Sequence, residues 1–251
     1  MRTIRCYLDA PLSEGAVVSL PEDTTAHLVR VLRLQVGDVV HLFNGDGHDY
    51  RAELVSVAKR GAEARVGAAL AVDRESPLRI TLAQGIARGE KMDLVLQKAT
   101  ELGVAAFAPV STERTEVRLD AERAGKRLAH WLGVVQAACG QSGRARLPTL
   151  AEPRPLAAYA AAEDASVKLA LDPEGELDLR ALALPAGATV ALLVGPEGGL
   201  SERDLASARA AGFRGLRLGP RILRTETAGL AAIAALQTLY GDLASPPPHP
   251  P

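Results

Sequence analysis

Cysteine is nearly absent from this chain: Cys6 and Cys139 are the only two in 251 residues, with neither a CxxC pair nor a Cys/His ligand spacing. That scarcity excludes a disulfide framework and speaks against a structural zinc site, so no metal is expected. Aromatic residues make up 3% of the sequence, too few for the stacking platforms with which RRM-type and single-strand-binding proteins hold bases. Neither sign of charge is in excess, because 29 Lys and Arg against 30 Asp and Glu leave a formal net charge of −1. An anionic partner must then be met by local clusters rather than by the whole surface. The opening MRTIRCYLDAPL lacks a charged start followed by an apolar run, and the longest charge-free apolar stretch, 181–196, is broken by PAGA. Neither a secretory signal nor a membrane span is expected, which points to a soluble, cytoplasmic protein. The phosphate fingerprints GxGxxG and GxxxxGK[ST] are missing too, which disfavours a nucleotide-dependent enzyme of the doubly wound kind.

What is there is enough apolar sequence, 47%, for a sizeable core. The first seventy or so residues carry short β-favouring runs, DVVHLFNG, DYRAELVSVAK and EARVGAAL, separated by turns such as NGDGHD. That is the rhythm of a small antiparallel barrel, assigned to residues 1–73. After DRESPLR the pattern changes, and residues 74–244 alternate strands with helices. LRITLAQGIA reads as a buried strand, GEKMDLVLQKATELGV as an amphipathic helix stopped at Gly103, and AAFAPVST as the next strand. Further strands are expected at SVKLALD and ATVALLVG, with a helix between Ser201 and Ala211 opened by a capping box from Ser201 to Asp204 and closed by Gly212. Continuous apolar strands between helices predict an α/β fold with a parallel sheet covered on both faces. The last helix, TAGLAAIAALQTLYG, is apolar nearly all round, so it is expected in the sheet packing, in a subunit interface, or in both. The proline-rich 245–251 is expected to be disordered.

Two stretches stand out chemically. In LLVGPEGGL, Leu192–Leu200, an apolar strand runs into Gly195-Pro196-Glu197-Gly198-Gly199, at the place where open α/β sheets bind ligands. A tight strand-to-helix turn without a ligand would use the same residues. In GLRLGPRILRTETAGLAA, a second strand-like start and Gly-Pro turn lead to Arg221, Arg224, Thr225, Glu226 and Thr227, just before the apolar helix. Charges at a helix start are usually solvated, and Thr225 suits an N-cap, yet this helix has almost no polar face. No acidic residue lies between Asp204 and Glu226, whereas Arg209, Arg214, Arg217, Arg221 and Arg224 do. Near the start, His27, Arg30 and Arg33 follow helical spacing, which suits either an ordinary polar helix face or arginine contacts to phosphate.

LLVGPEGGLSERDL and LRLGPRILRTETAGLAAIAAL, preceded by GEKMDLVLQKATELGV and ACGQSGRARLP, closely resemble the RsmE family of the SPOUT superfamily. Its members are ribosomal RNA small-subunit methyltransferases acting on N3 of a uridine. The resemblance spans the chain up to the proline-rich tail, and HLVRVLRLQVGDVVHLFNGDG resembles the family's PUA-like β-barrel. It implies a C-terminal domain with a parallel sheet and a deep trefoil knot that cradles S-adenosylmethionine, homodimerisation through the last helix, and a pocket completed across the dimer. The implied cofactor residues are Val194, Gly195, Glu197, Gly198, Gly199, Leu218, Gly219, Ile222, Leu223 and Thr225, the glycines serving close approach of the cofactor to main chain. For that chemistry Arg224 is the candidate catalytic residue, holding the uracil anion or a nearby phosphate, and Glu226 is the weaker candidate for general base, since it could equally pair with Arg221 or Arg224. Arg2, Arg5, His27, Arg30, Arg33, Arg144 and Arg221 are the expected contacts to small-subunit ribosomal RNA or the assembled 30S subunit. One departure is Gly140, where many relatives carry Glu before the Gln of this segment. The competing reading is a non-catalytic RNA-binding ribosome-assembly factor, which would keep the arginines but fail to bind S-adenosylmethionine.

Overall fold

A computed structural model describes residues 4–58, 61–117 and 121–244. Arg2 and the proline-rich 245–251 lie outside the described residues. The chain divides into two compact units: residues up to Glu75 together with Gln136–Leu147, and Ser76–Val135 together with the chain from Pro148 onward. Segment 136–147 thus groups with the N-terminal residues, although it sits far along the sequence.

In the first unit, β1 (Arg5–Tyr7), β2 (Val17–Leu20), β3 (Val39–Phe43), β4 (His48–Ala58) and β5 (Gly61–Ala71) form one sheet in the order β1-β3-β4-β5-β2. Along β4, buried Ala52 and Leu54 alternate with exposed Arg51 and Glu53, the period of a strand with one face on a core. That core holds Leu28, Val40, Leu42, Leu54, Ala64 and Val66. The NGDG turn works because Gly45 and Gly47 both adopt left-handed backbone, at φ 95°. One pairing departs from the antiparallel expectation: β1 runs parallel to β3, with β2 and the helical segment supplying the crossover that a parallel pair needs. The helical reading of 27–33 is also corrected. Helix α1 (Glu22–Ala26) passes into a π-helical turn, His27–Val31, and Arg33 sits at φ 57°. His27, Arg30 and Arg33 are exposed but do not share one regular helix face.

The second unit is built on β6 (Arg79–Gly85), β7 (Ala106–Ser111), β8 (Thr149–Leu150), β9 (Arg154–Pro155), β10 (Val167–Leu171), β11 (Leu177–Asp178), β12 (Thr189–Val194) and β13 (Arg214–Arg217). The order is β11-β13-β10-β12-β6-β7-β8, with β9 also on β7, and every pairing is parallel. The helices are α2 (Glu90–Glu101), α3 (Ala121–Ser142), whose residues from Gln136 onward belong to the first unit, α4 (Leu156–Ala162), α5 (Glu202–Ala210) and α6 (Thr225–Tyr240). Ile80, Leu82 and Ala83 of β6 and Ala191, Leu192 and Leu193 of β12 are fully buried, as expected for central parallel strands. Helix α5 starts with the expected capping box: Ser201 Oγ accepts from Asp204 N–H at 3.1 Å and Asp204 Oδ2 from Ser201 N–H at 2.9 Å. Helix α6 buries Gly229, Ala232, Ile233 and Leu236 and leaves Ala231 and Leu239 exposed. No described helix is long and apolar enough to cross a membrane.

Candidate active site

The sheet brings β13, β10 and β12 side by side in that order, so the loops at their carboxyl ends converge. Between them lies a cleft of about 550 Å³, walled by Leu171–Pro173 after β10, Val194–Leu200 after β12, and the segment from Leu216 to Glu226 between β13 and α6. That size suits a cofactor or small ligand. Every residue expected to hold a cofactor lines it, as do Arg221, Arg224 and Glu226. The two glycine-containing loops, far apart in sequence, are joined directly: Thr225 Oγ1 donates to the Gly195 carbonyl at 2.6 Å. Thr225 is therefore not the N-cap of α6; Arg224 takes that position, without a capping side chain.

Packing and backbone conformation within the turn by themselves call for glycine. A Cβ at Gly195 would lie 2.8 Å from the carbonyl carbon of Gly199 and 2.9 Å from the amide nitrogen of Leu200, and one at Gly198 would lie 2.9 Å from Cβ of Arg114. Gly195 and Gly198 are required by the loop folding onto itself and onto a neighbour. Gly199 instead supplies left-handed backbone, at φ 72°. The loop is further held by Arg114, whose Nη1 donates to the Gly198 carbonyl at 2.9 Å.

Glu197 points its carboxylate at α2, accepting from the Arg88 N–H and from Lys91 Nζ, both at 3.1 Å. Burial tends to raise this carboxyl, but hydrogen bonds from its own N–H and that of Arg88, with Lys91 beside it, outweigh burial and hold it below the ordinary glutamate range. Its visible role is to pin the glycine turn to α2. Glu226 differs: its Oε2 is buried and has no hydrogen-bond partner among the described residues. Arg221 and Arg224 are exposed at the cleft, and neither has an ion-pair partner among the described residues.

The other arginines need correction. Arg209 pairs with Asp172 at 3.3 Å and Arg214 approaches Glu176 at 3.7 Å, so the acid-free run in sequence is partly neutralised in space. Arg5, expected to contact RNA, is a buried structural residue. Its side chain is 7% exposed, pairs with Asp49 through Nε at 2.8 Å and Nη2 at 2.6 Å, donates to the Cys139 carbonyl at 2.8 Å, and lies over the Phe43 ring. Arg144, likewise expected to meet RNA, is 4% exposed and chelates Glu75 through Nε and Nη2. At Gly140, a Cβ would meet the Arg5 carbonyl at 3.4 Å, so this departure sits against the same buried network. Burial also pushes the thiols of Cys6 and Cys139 up to about 11, which removes both as nucleophiles.

Sequence reasoning missed Lys91 and Arg114, which line the cleft, and Gln84, buried behind it. Their only signal in sequence was a polar residue near the end of an apolar strand, for Gln84, a charge at the start of an amphipathic helix, for Lys91, and charge in an unpatterned loop, for Arg114.

Residues 74–237 match the model of an RNA methyltransferase domain, and residues 20–67 that of an RNA methyltransferase PUA domain. The chain is similar to a ribosomal RNA small subunit methyltransferase E of Buchnera aphidicola, 32% identical over 96% of this chain and 98% of the relative. Among solved structures it is similar to a ribosomal RNA small subunit methyltransferase E of Neisseria gonorrhoeae bound to S-adenosyl methionine, with 44% identity, a TM-score of 0.89 and coverage of 96% and 99%. A Legionella pneumophila chain in complex with the bound cofactor SAM has 40% identity, a TM-score of 0.92 and coverage of 97% and 100%. The parallel sheet, the cleft at its carboxyl edge and these likenesses agree: the chain belongs to the ribosomal RNA small subunit methyltransferase E family.

Proposed function

We propose that this chain methylates N3 of a uridine in small-subunit ribosomal RNA, using S-adenosylmethionine held in the cleft between the β12 and β13 loops. The observation that carries the reading is the convergence of both glycine loops on one cleft whose mouth holds two arginines without ion-pair partners among the described residues. The residues present fit that cofactor. Main chain of 194–199 and 218–225 offers hydrogen-bonding groups, while Val194, Leu218, Ile222 and Leu223 supply apolar wall. When bound, the cofactor supplies a methyl group on a positively charged sulfur.

The remaining chemistry falls to the protein. Uracil N3 carries a proton and is a weak nucleophile until that proton leaves, so the site must accept a proton and stabilise the anion left behind. Glu226 Oε2 is a buried acceptor without a hydrogen-bond partner among the described residues, which suits a general base. Arg224, at the N-terminus of α6, would hold the uridine anion or an adjacent phosphate, where the helix end adds positive potential. Positioning an extruded base against the donor supplies much of the rate.

The finer parts of the proposal follow. Residues 1–73 act as the RNA-binding domain, residues 74–244 as the methyltransferase domain, and the 30S subunit or its RNA is the substrate, in the cytoplasm. His27, Arg30 and Arg33, all exposed, and Arg221 are the phosphate contacts. The loops of 194–199 and 218–225 belong to a deep trefoil knot. Exposed Ile222, Leu239 and Leu243 support a homodimer through α6 and its flanks. The test is a calorimetric titration with S-adenosylmethionine, with NAD and ATP as controls. Selective binding that Gly195→Val abolishes is expected; absence of binding would leave an RNA-binding assembly factor.

A further inference from the structure

The cleft loops are tied from behind by a residue that does not line the cleft. Gln84 is the penultimate residue of β6, paired in register with Val194, the last residue of β12. The residue is 1% exposed. Its Nε2 lies 2.9 Å from the Gly85 carbonyl, 2.9 Å from Thr225 Oγ1 and 3.4 Å from the Gly195 carbonyl. Since Thr225 Oγ1 spends its proton on Gly195, its lone pair accepts from Gln84. The order of donation is therefore fixed: Gln84 amide to Thr225 hydroxyl to Gly195 carbonyl. Each bond in such a chain polarises the next. A reversed amide would set an oxygen against two carbonyls, so the orientation is chemically determined.

Gln84 does not serve the core. Its Oε1 is buried with no hydrogen-bond partner among the described residues, and it faces α6, where a Cβ at Gly229 would come within 3.7 Å. An orphaned buried acceptor is costly, and an apolar side chain of similar volume would avoid that cost. Gly85, next along β6, is packed so tightly on Pro196 that a Cβ would lie 2.5 Å from its nitrogen. The end of β6 and the glycine turn are thus fitted to each other at backbone range.

We infer that Gln84 is a positioning residue for the cofactor cleft, acting through Thr225 to hold the β12 loop and the start of α6 in fixed relation before any ligand arrives. The inference rests on the proposed cofactor reading. It makes affinity for S-adenosylmethionine depend on a side chain that never touches it, because preorganised loops need not be ordered on binding.

The test is a double-mutant cycle on the full chain, read by calorimetric titration with S-adenosylmethionine and by thermal unfolding without it. Thr225→Val is expected to weaken binding about tenfold, Gln84→Met severalfold, and the pair together no more than about tenfold, because both cut one chain. Thr100→Val removes a buried hydroxyl of α2 that bonds the Leu96 carbonyl at 2.7 Å, away from the cleft. It is expected to lower the melting temperature with the affinity kept. Gln84→Leu is the second variant where the Met variant does not fold. Loss of melting temperature with unchanged affinity in the Gln84 variants, multiplicative losses in the double variant, or failure of both Gln84 variants to fold would each overturn the inference and leave Gln84 a core residue. Failure of the unmodified protein to bind S-adenosylmethionine would overturn the cofactor reading itself.

Discussion

Arg5 and Arg144 in the first unit and Arg221 and Arg224 in the second carry the same side chain into opposite circumstances. The first pair is buried, each on a carboxylate, Asp49 or Glu75. The second pair is exposed at the cleft without such partners among the described residues. Local sequence does not separate them, since all four sit in segments with few neighbouring acids. The difference is made by long-range pairing: Asp49 is 44 residues from Arg5, and Glu75 is 69 from Arg144. A guanidinium already satisfied in the interior is not available to phosphate, and the two of these four that stay exposed lie at the sheet's carboxyl edge.

The comparison breaks most visibly at Arg5. Arg5→Ala strands Asp49, whose residue is 7% exposed, and is expected to destabilise the protein by about 3–5 kcal/mol, the range for a buried pair losing one partner. Denaturant unfolding measures it; a change below ~1 kcal/mol would return Arg5 to the surface contacts. Arg224→Ala should do the reverse. It is expected to leave stability unchanged and cofactor affinity within a few-fold, while lowering methyl transfer on the order of 10²–10³-fold, as when one preorganised charge stabiliser is lost. Parallel single-turnover assays and cofactor titrations separate the two, and equal loss of both would move Arg224 from the uridine to the cofactor.

Legibility in the sequence followed the range of the forces involved. Strand β6, helix α2, strand β7 and the Ser201–Asp204 capping box were readable because periodicity and capping are settled within a few residues. The parallel partnership of β1 with β3, and the grouping of 136–147 with the N-terminal residues, depend on contacts far along the chain and left no local trace. At the glycine turn, Gly195 is small because Gly199 and Leu200 crowd it, a constraint that a composition of glycines shows without its cause. Gln84 stayed hidden because a single amide near the end of an apolar strand looks like any strand end until Thr225 and Gly195 are brought to it.

The most direct measurement of the central claim is nucleoside analysis of small-subunit ribosomal RNA after incubation with the protein and methyl-labelled S-adenosylmethionine, on both naked RNA and assembled subunits. Label recovered in 3-methyluridine at a single position is the predicted result. Label in another nucleoside, or none in either substrate from a protein that binds the cofactor, would contradict it.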